Sequence, residues 1–137
     1  MKIGGVTLPH DRGLGGHSDG DVLLHAITDA LLGAIAAPDI GALFPPSDPK
    51  WKGADSAVFL REAIKRVDEA GYRIGNVDCS LILAAPKIGP HSAKIRERVA
   101  ELLGVSIDRA GLKAKTPEGL NLEDTAVAHA VVLLEKK

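Results

Sequence analysis

The stretch "GHSDGDVLLHAITDALLGAIA", residues 16–36, decides the fold, because a cluster of polar side chains leads directly into an apolar helix. From about Asp19 to Ala36 the apolar residues recur at spacings of three and four, which is typical of an amphipathic helix. Ser18 or Asp19 can accept hydrogen bonds from the free N–H groups of the first turn, so we expect the N-cap at one of them. The stretch therefore predicts a capped helix with one buried face.

Three polar residues of this helix, Asp21, His25 and Asp29, follow one another at intervals of four. This spacing places them on one stripe of the helix surface. An imidazole between carboxylates is oriented for metal binding when an acid accepts its second ring N–H. The alternative is that all three are solvent-facing or capping residues. Both interpretations stay open, because zinc takes three or four protein ligands and one histidine cannot hold it.

The segment before the helix offers a site for an anion. His17 and Ser18 lie where free backbone N–H groups and the positive end of the helix dipole favour phosphate. The alternative for Ser18 is a plain N-cap. Lys87 in "APKIGPH" and the segment "KAKTPE", residues 113–118, add cations and a hydroxyl on loops or strand ends, although a lone lysine is usually a solvated surface charge.

The rest of the chain reads as alternating strands, helices and loops. Residues 3–8 form one predicted short strand, and residues 37–55, rich in Pro, Gly and Asp, form a long loop. The order β-α-α-β-α-β-β predicts an α/β (α+β) fold, with a mixed β-sheet and helices packed on one face, in a single domain over residues 1–137. The later predicted elements are helices at about Ser56–Ala70 and Ser92–Leu103 and strands in "NVDCSLILA", "AGLKAKT" and "AVAHAVVLLEK".

Composition narrows the class of protein. Aromatic residues make up 3% of the 137 residues, so we expect an aliphatic core. The net charge of −1 gives no reason to expect nucleic acid or an anionic membrane as a partner, and no run approaches the roughly 20 apolar residues of a membrane span. A lone cysteine, Cys79, fits a reducing compartment. We therefore expect a cytoplasmic protein, or a stromal one if the source bears plastids.

Several motifs together carry a family resemblance over nearly the whole chain and in collinear order. They are "GLGGHSDGDVLLHAITDALLGAI", "DIGALFP", "WKGADS", "APKIGPH" and "KAKTPEGL". The chain resembles the 2-C-methyl-D-erythritol 2,4-cyclodiphosphate synthases of non-mevalonate isoprenoid biosynthesis. The resemblance implies a homotrimeric lyase with active sites between subunits. It also implies a reaction that cyclises 4-diphosphocytidyl-2-C-methyl-D-erythritol 2-phosphate to the cyclic diphosphate and releases CMP.

The resemblance also implies roles for individual residues. His25 corresponds to a zinc ligand with Asp21 and Asp29 behind it, and His17 and Thr116 correspond to transition-state stabilisers. Magnesium or manganese would accompany the substrate diphosphate. The implied substrate-binding residues are His17, Ser18, Asp39, Ile40, Gly41, Phe44, Pro45, Pro46, Ser47, Asp48, Lys115, Thr116, Pro117 and Glu118, and the implied nucleotide-binding residues are Leu83, Ala84, Ala85, Pro86, Lys87, Ile88 and Gly89.

The sequence departs from the family pattern near the implied site. The family opens with a strand carrying Asp-x-His, which supplies two zinc ligands, whereas here "MKIG" joins directly to "GVTLPH". Pro46 stands where an aspartate is usual, and a segment bearing glycine and arginine is missing after "TPEGL". We therefore expect no tightly bound zinc and cyclisation far below the usual level.

Two other functions stay open beside the enzyme. One is a catalytically silent trimeric scaffold or engineered assembly subunit, because the departures lie at the implied site while the core patterns are intact. The other is a cytidine-nucleotide-binding protein, because the "APK" and "KAKT" segments are present. Zinc content and CMP affinity distinguish the three, since a scaffold would bind neither and a binding protein would bind only CMP.

Overall fold

The structure is a computed structural model that describes residues 1–9, 20–120 and 125–137. The described elements follow the order β-β-α-α-α-β-α-β-β, with three short 3-10 turns between them. The helices are α1 (Val22–Ala34), α2 (Ile40–Leu43), α3 (Ser56–Glu69) and α4 (Ser92–Leu103); the strands are β1 (Lys2–Ile3), β2 (Val6–Thr7), β3 (Tyr72–Ile82), β4 (Ala110–Lys115) and β5 (Val127–Lys136); the 3-10 turns are Pro49–Trp51, Gly89–His91 and Ile107–Arg109.

A three-stranded sheet of order β4-β3-β5 forms the centre of the fold. The central strand β3 runs parallel to β4 and antiparallel to β5, which confirms the predicted mixed sheet. Along β3, Val77, Cys79 and Leu81 are buried while Asn76 and Asp78 are exposed, as the alternation of the sequence predicts. The helices therefore cover one face of the sheet.

The core lies between that face and helices α1, α3 and α4. Leu23, Ile27 and Leu31 of α1 are completely buried, one helical turn apart. The other core residues are also aliphatic, which confirms the expectation drawn from the low aromatic content. The most deeply buried of them are Leu24 and Leu32 of the same helix, and Ile3, Leu8, Leu60, Val67, Val77, Leu81 and Ile95 from other parts of the chain.

Residues 3–8 do not form one strand, so that prediction was wrong. Gly4 and Gly5, with φ of 60° and 78°, turn the chain between β1 and β2, which pair antiparallel. Both angles lie in the left-handed region that glycine adopts without steric cost. The result is a two-residue turn within a small hairpin.

The first long helix is shorter than predicted, and its cap is a different residue. Asp21 is the N-cap, since its carboxylate accepts a hydrogen bond from the amide of Leu24 at 3.0 Å. Gly20 and Ala36, with φ of 74° and 57°, interrupt helical geometry on either side of α1. The predicted caps Ser18 and Asp19 lie outside the described residues.

The predicted long loop over residues 37–55 contains helical turns, so this prediction was wrong in part. Asp39 caps α2, Asp48 caps the turn Pro49–Trp51, and Asp55 caps α3, each carboxylate accepting a backbone N–H at about 3 Å. Elements this short show little periodicity in the sequence, whereas their aspartate caps are visible.

The sheet face opposite the helices is called the outer face here. It carries Asn76, Asp78, Lys113, Val131 and Leu133. The apolar side chains of β5 are strongly exposed in the single chain, Val131 at 73% and Leu133 at 62%. No helix among the described residues is long and apolar enough to cross a membrane.

Candidate functional site

His25 is held from one side by the first two turns of α3. Its Nε2 lies 2.8 Å from the hydroxyl oxygen of Ser56, the first residue of α3, and Ser56 is completely buried. The imidazole also faces the ring of Phe59, with ring centroids 6.0 Å apart. The hydrogen bond and the ring contact together fix the orientation of a half-buried imidazole.

The two acids on the same stripe accept hydrogen bonds from backbone amides. The Asp21 carboxylate, completely buried, accepts N–H groups of Gly4 at 2.9 Å and Gly5 at 2.7 Å in addition to its cap bond. Asp29 Oδ1 accepts the N–H of Ile40 at 2.8 Å. Asp21 therefore ties the β1–β2 turn to α1, and Asp29 ties the start of α2 to the same helix.

Three aromatic residues form one cluster beside His25. The ring centroids of Phe44 and Phe59 lie 4.6 Å apart, and Trp51 lies 5.0 Å from Phe44 and 5.9 Å from Phe59. Lys50 Nζ lies 4.6 Å from the Trp51 ring, in a cation–π contact. The aromatic cluster of Phe44, Trp51 and Phe59 therefore packs residues 44–51 against α3 next to the imidazole.

The described residues do not assemble a complete zinc site. Within residues 1–9, 20–120 and 125–137, no three His, Cys, Asp or Glu side chains come together in a group that could hold a metal. Zinc needs at least three protein ligands, and the carboxylates nearest His25 in sequence accept backbone amides. His25 alone among the described residues therefore does not fit zinc.

A second set of predicted residues surrounds a cavity of about 280 Å³ at the end of β3 and β4. Two segments far apart in the sequence meet here, because parallel pairing brings the ends of β3 and β4 to one sheet edge, and the amide of Leu83 donates to the carbonyl of Lys115 at 3.1 Å. The peptide bond between Ala85 and Pro86 is cis. The lining residues are Leu83, Ala84, Pro86, Lys87, Ile88, Gly89, Pro90, Ala114, Lys115 and Thr116.

The open side of this cavity carries polar groups. Lys87, Lys115 and Thr116 are exposed, and the Thr116 hydroxyl donates to Glu118 Oε1 at 2.9 Å. Cations and a hydroxyl at the mouth of a cavity suit an anionic ligand. His17 and Ser18, the other predicted phosphate-binding residues, lie outside the described residues.

Cys79 takes no part in either group of site residues. Its thiol is buried on the core side of β3. Burial, with a smaller contribution from the charge of Asp78, raises the pKa of this thiol to about 12. The side chain is therefore a neutral packing group at ordinary pH.

The chain is similar to known proteins over nearly its whole length. Residues 1–135 match the model of the YgbB family. The chain belongs to that family. It is 69% identical over 137 residues to 2-C-methyl-D-erythritol 2,4-cyclodiphosphate synthase of Koribacter versatilis (strain Ellin345), covering all of this chain and 88% of that relative. The resemblance drawn from the motifs is thereby confirmed.

Two more comparisons extend the family assignment. The chain is 56% identical to the chloroplastic 2-C-methyl-D-erythritol 2,4-cyclodiphosphate synthase of Arabidopsis thaliana, covering all of this chain and 61% of that longer protein. A solved structure of 2C-methyl-D-erythritol-2,4-cyclodiphosphate synthase in a CDP-bound form superposes with a TM-score of 0.92 at 43% identity, covering 98% of this chain and 89% of that one. The family is a family of enzymes of isoprenoid biosynthesis.

His25, Ser56 and the aromatic cluster are together called the His25 group. Three residues that contact His25 or its neighbouring rings were not predicted as site residues, although Trp51 and Ser56 lie in the motif "WKGADS". Ser56 reads as the start of a helix, Phe59 as one of its core residues, and Trp51 as part of a loop. Their contacts with His25 and Phe44 cross between distant elements, so spacing within one segment cannot reveal them. The chain has only two Phe, one Trp and one Tyr, and this rarity of aromatic residues is a further signal.

Proposed function

We propose that this chain is a cyclodiphosphate synthase: it cyclises 4-diphosphocytidyl-2-C-methyl-D-erythritol 2-phosphate and releases CMP. The observation that carries the proposal is the cavity formed by Leu83–Gly89 and Lys115–Thr116, the two segments whose motifs resemble the nucleotide and diphosphate loops of the family. Membership of the family and the CDP-bound form of a similar structure support it.

The cavity is proposed to hold the cytidine end of the substrate. Its rim is rich in small residues and proline, so backbone groups of residues 83–89 can approach a flat base closely. Lys87 at the rim would face the phosphate joined to the nucleoside. The proposed ligand of this cavity is a pyrimidine nucleoside diphosphate.

The reaction transfers a phosphoryl group within one molecule. An oxygen of the substrate's 2-phosphate attacks the β-phosphorus, a new P–O bond closes the ring, and the bond from the β-phosphorus to the CMP oxygen breaks, so that CMP leaves with the electron pair. The protein supplies positioning and charge stabilisation. Lys115 and Thr116, with His17 as the second proposed catalytic residue, would stabilise charge on the phosphoryl oxygens.

The sugar-alcohol part of the substrate is proposed to bind the segment from Asp39 to Asp48. The amide-rich start of α2 and the turn that follows it lie next to the His25 group, joined by the Asp29–Ile40 hydrogen bond. The proposed contacts are Asp39, Ile40, Gly41, Phe44, Pro45, Pro46, Ser47 and Asp48, with Ser18, Pro117 and Glu118 at the phosphate side.

We propose a homotrimer with each site shared between subunits. The outer face exposes Val131 and Leu133 of β5, and burial of these apolar side chains favours assembly. The lining of the cytidine cavity includes no residue of the His25 group, so a neighbouring subunit would bring the two groups together. A cytoplasmic or stromal location is proposed from the enzyme class.

We propose a divalent metal cofactor, because the family suggests one. Since the described residues do not fit zinc, no step above depends on it. Weak zinc binding stays a prediction, which plasma emission measurements after dialysis against a mild chelator would check. Stoichiometric zinc in the purified chain would contradict it, and insertion of an Asp-x-His hairpin between Gly4 and Gly5 is expected to restore binding.

The proposal is tested by CMP release from the diphosphocytidyl substrate. Thr116→Val is expected to lower the rate by about 100-fold, while Val58→Ala, an exposed position on α3, leaves it unchanged. CMP binding measured by calorimetry without release would identify a nucleotide-binding protein. Neither binding nor release would identify a scaffold, and the proposed activity would be rejected.

A further inference from the structure

Segment 39–51 and His25 contact the same two turns of α3. Ser56 and Phe59, three residues apart on one helix, both face the imidazole. Phe59 also contacts Phe44 and Trp51 of the segment. Because one ring touches both sides, a displacement of the segment cannot leave Phe59 and the imidazole unaffected.

The contacts on the segment side are close enough to transmit such a displacement. The rings of Phe44 and Phe59 have centroids 4.6 Å apart at an interplanar angle of 41°, and Phe44 meets Trp51 edge to face at 88°. The edge-to-face geometry of Phe44 and Trp51 is a favourable one for aromatic pairs. The 3% exposure of Phe59 shows that neighbouring side chains surround this ring.

The second connection runs through the backbone. Asp29, one turn after His25 on α1, accepts the N–H of Ile40 at the start of α2. The segment is therefore tied to the helix of His25 at its beginning and to α3 at Phe44 and Trp51. Two attachments at different points restrict rotation of the segment more than either does alone.

We propose that Phe59 is a positioning residue that couples segment 39–51 to the imidazole of His25. The coupling places the segment and the imidazole in one rigid unit, with Ser56 fixing the imidazole and the aromatic cluster fixing the segment. The functional meaning of the coupling depends on the proposed function, in which the segment binds the sugar-alcohol part of the substrate. The coupling itself is a property of the ligand-free chain.

The test uses a change on the segment side of Phe59, at a ring that contacts Phe59 directly. Phe44→Leu keeps an apolar side chain but removes the ring, and the imidazole Cε1–Hε1 signal of His25 is followed by NMR in the ligand-free protein. The signal is expected to shift, and the emission of Trp51, the one tryptophan of the sequence, is expected to move to longer wavelength. Val58→Ala, next to Phe59 but exposed at 40%, is expected to leave both unchanged.

An unchanged His25 signal in a folded Phe44→Leu variant would overturn the coupling, whether or not Trp51 emission moves. Far-UV circular dichroism checks folding, and Trp51→Leu gives the same NMR test from the other ring if Phe44→Leu fails to fold.

In turnover measurements, Phe44→Leu is expected to raise KM about tenfold without weakening CMP binding. An unchanged KM would overturn the functional role of the coupling. Failure of the unmodified chain to bind CMP would instead reject the proposed function.

Discussion

Asp21 shows how one buried carboxylate joins three parts of the fold. It accepts N–H groups from Gly4, Gly5 and Leu24, so the hairpin turn and the start of α1 share one acceptor. The sequence left capping open for Asp21 beside a metal-binding stripe, and the structure shows that Asp21 is the N-cap of α1. Its hydrogen bonds to the glycines connect residues sixteen or more positions apart, and no local pattern encodes them.

Asp21→Ala is expected to lower the free energy of unfolding by about 3 kcal/mol, since it removes a cap and leaves a buried backbone N–H without its acceptor. The matched control is Asp55→Ala, which removes the exposed cap of α3 and is expected to cost about 1 kcal/mol. Urea unfolding followed by circular dichroism measures both. Equal losses for the two variants would contradict the role assigned to Asp21.

The raised pKa of Cys79 makes stability depend on alkaline pH. The folded thiol has a pKa of about 12, against an ordinary value of 9.0. Between these two pH values the thiol keeps its proton in the folded state and loses it in the unfolded state. The contribution of Cys79 to the free energy of unfolding is therefore complete below pH 9 and is lost as the pH rises toward 12. The loss should approach about 1 kcal/mol per pH unit. Comparing the urea unfolding of wild type and Cys79→Ala at pH 8 and pH 10 isolates this contribution, and parallel pH dependence in the two would refute it.

At the scale of elements, the long ones are predictable and the short ones are not. Helices α3 and α4 follow their predicted bounds closely, because repeated burial on one face gives many residues the helical period. Strand β3 was predicted over residues 76–84, but it begins four residues earlier and ends two residues earlier. The turns within residues 37–55 contain three or four residues each and depend on single aspartate caps. The β1–β2 hairpin reads as one strand in the sequence because two residues per strand are too few to show alternation.

The tight approach of the hairpin turn to the core gives a prediction at this scale. A Cβ on Gly4, where φ is 60°, would lie 2.6 Å from Ile95 Cγ2, whereas a Cβ on Gly53, where φ is 72°, would meet no atom within 4 Å. Gly53→Ala is expected to cost about 1 kcal/mol from backbone strain alone. Gly4→Ala adds steric overlap and is expected to cost about 3 kcal/mol. Thermal unfolding of both variants checks the difference, and equal shifts would contradict it.

At the scale of the whole molecule, the sequence predicted the mixed sheet and the family, and the structure brings residues 83–90 and 114–116 to one cavity. The relation between the cavity and His25 could not be predicted from spacing, because in the proposed trimer it depends on the neighbouring subunit. The exposed Val131 and Leu133 on the outer face support that proposal. In the sequence, the stretch "AVAHAVVLL" carries few charges, which likewise predicts burial of this strand on both faces.

The proposed trimer is expected to depend on the outer face of β5. Leu133→Lys places a charge in a face that would be buried between subunits, so it should reduce the mass measured by analytical ultracentrifugation from a trimer to a monomer. Val58→Lys, a charge added at an exposed position on α3, is the control and should leave the trimer intact. A monomeric wild type at micromolar concentration would refute the assembly.

The central position of β3 also sets an order of events as the chain folds. In the sequence, its parallel partner β4 follows after a single long helix, α4. Its antiparallel partner β5 comes after both α4 and β4, and Tyr72 of β3 pairs with Lys136 of β5. Closing the longer loop costs more entropy, so the β3-α4-β4 unit should form in the transition state and β5 should dock afterwards. We therefore expect a φ-value near 1 for Val99→Ala in α4 and near 0 for Val132→Ala in β5. Stopped-flow refolding would measure both, and until β5 docks, one long edge of β3 is open to pairing with another chain.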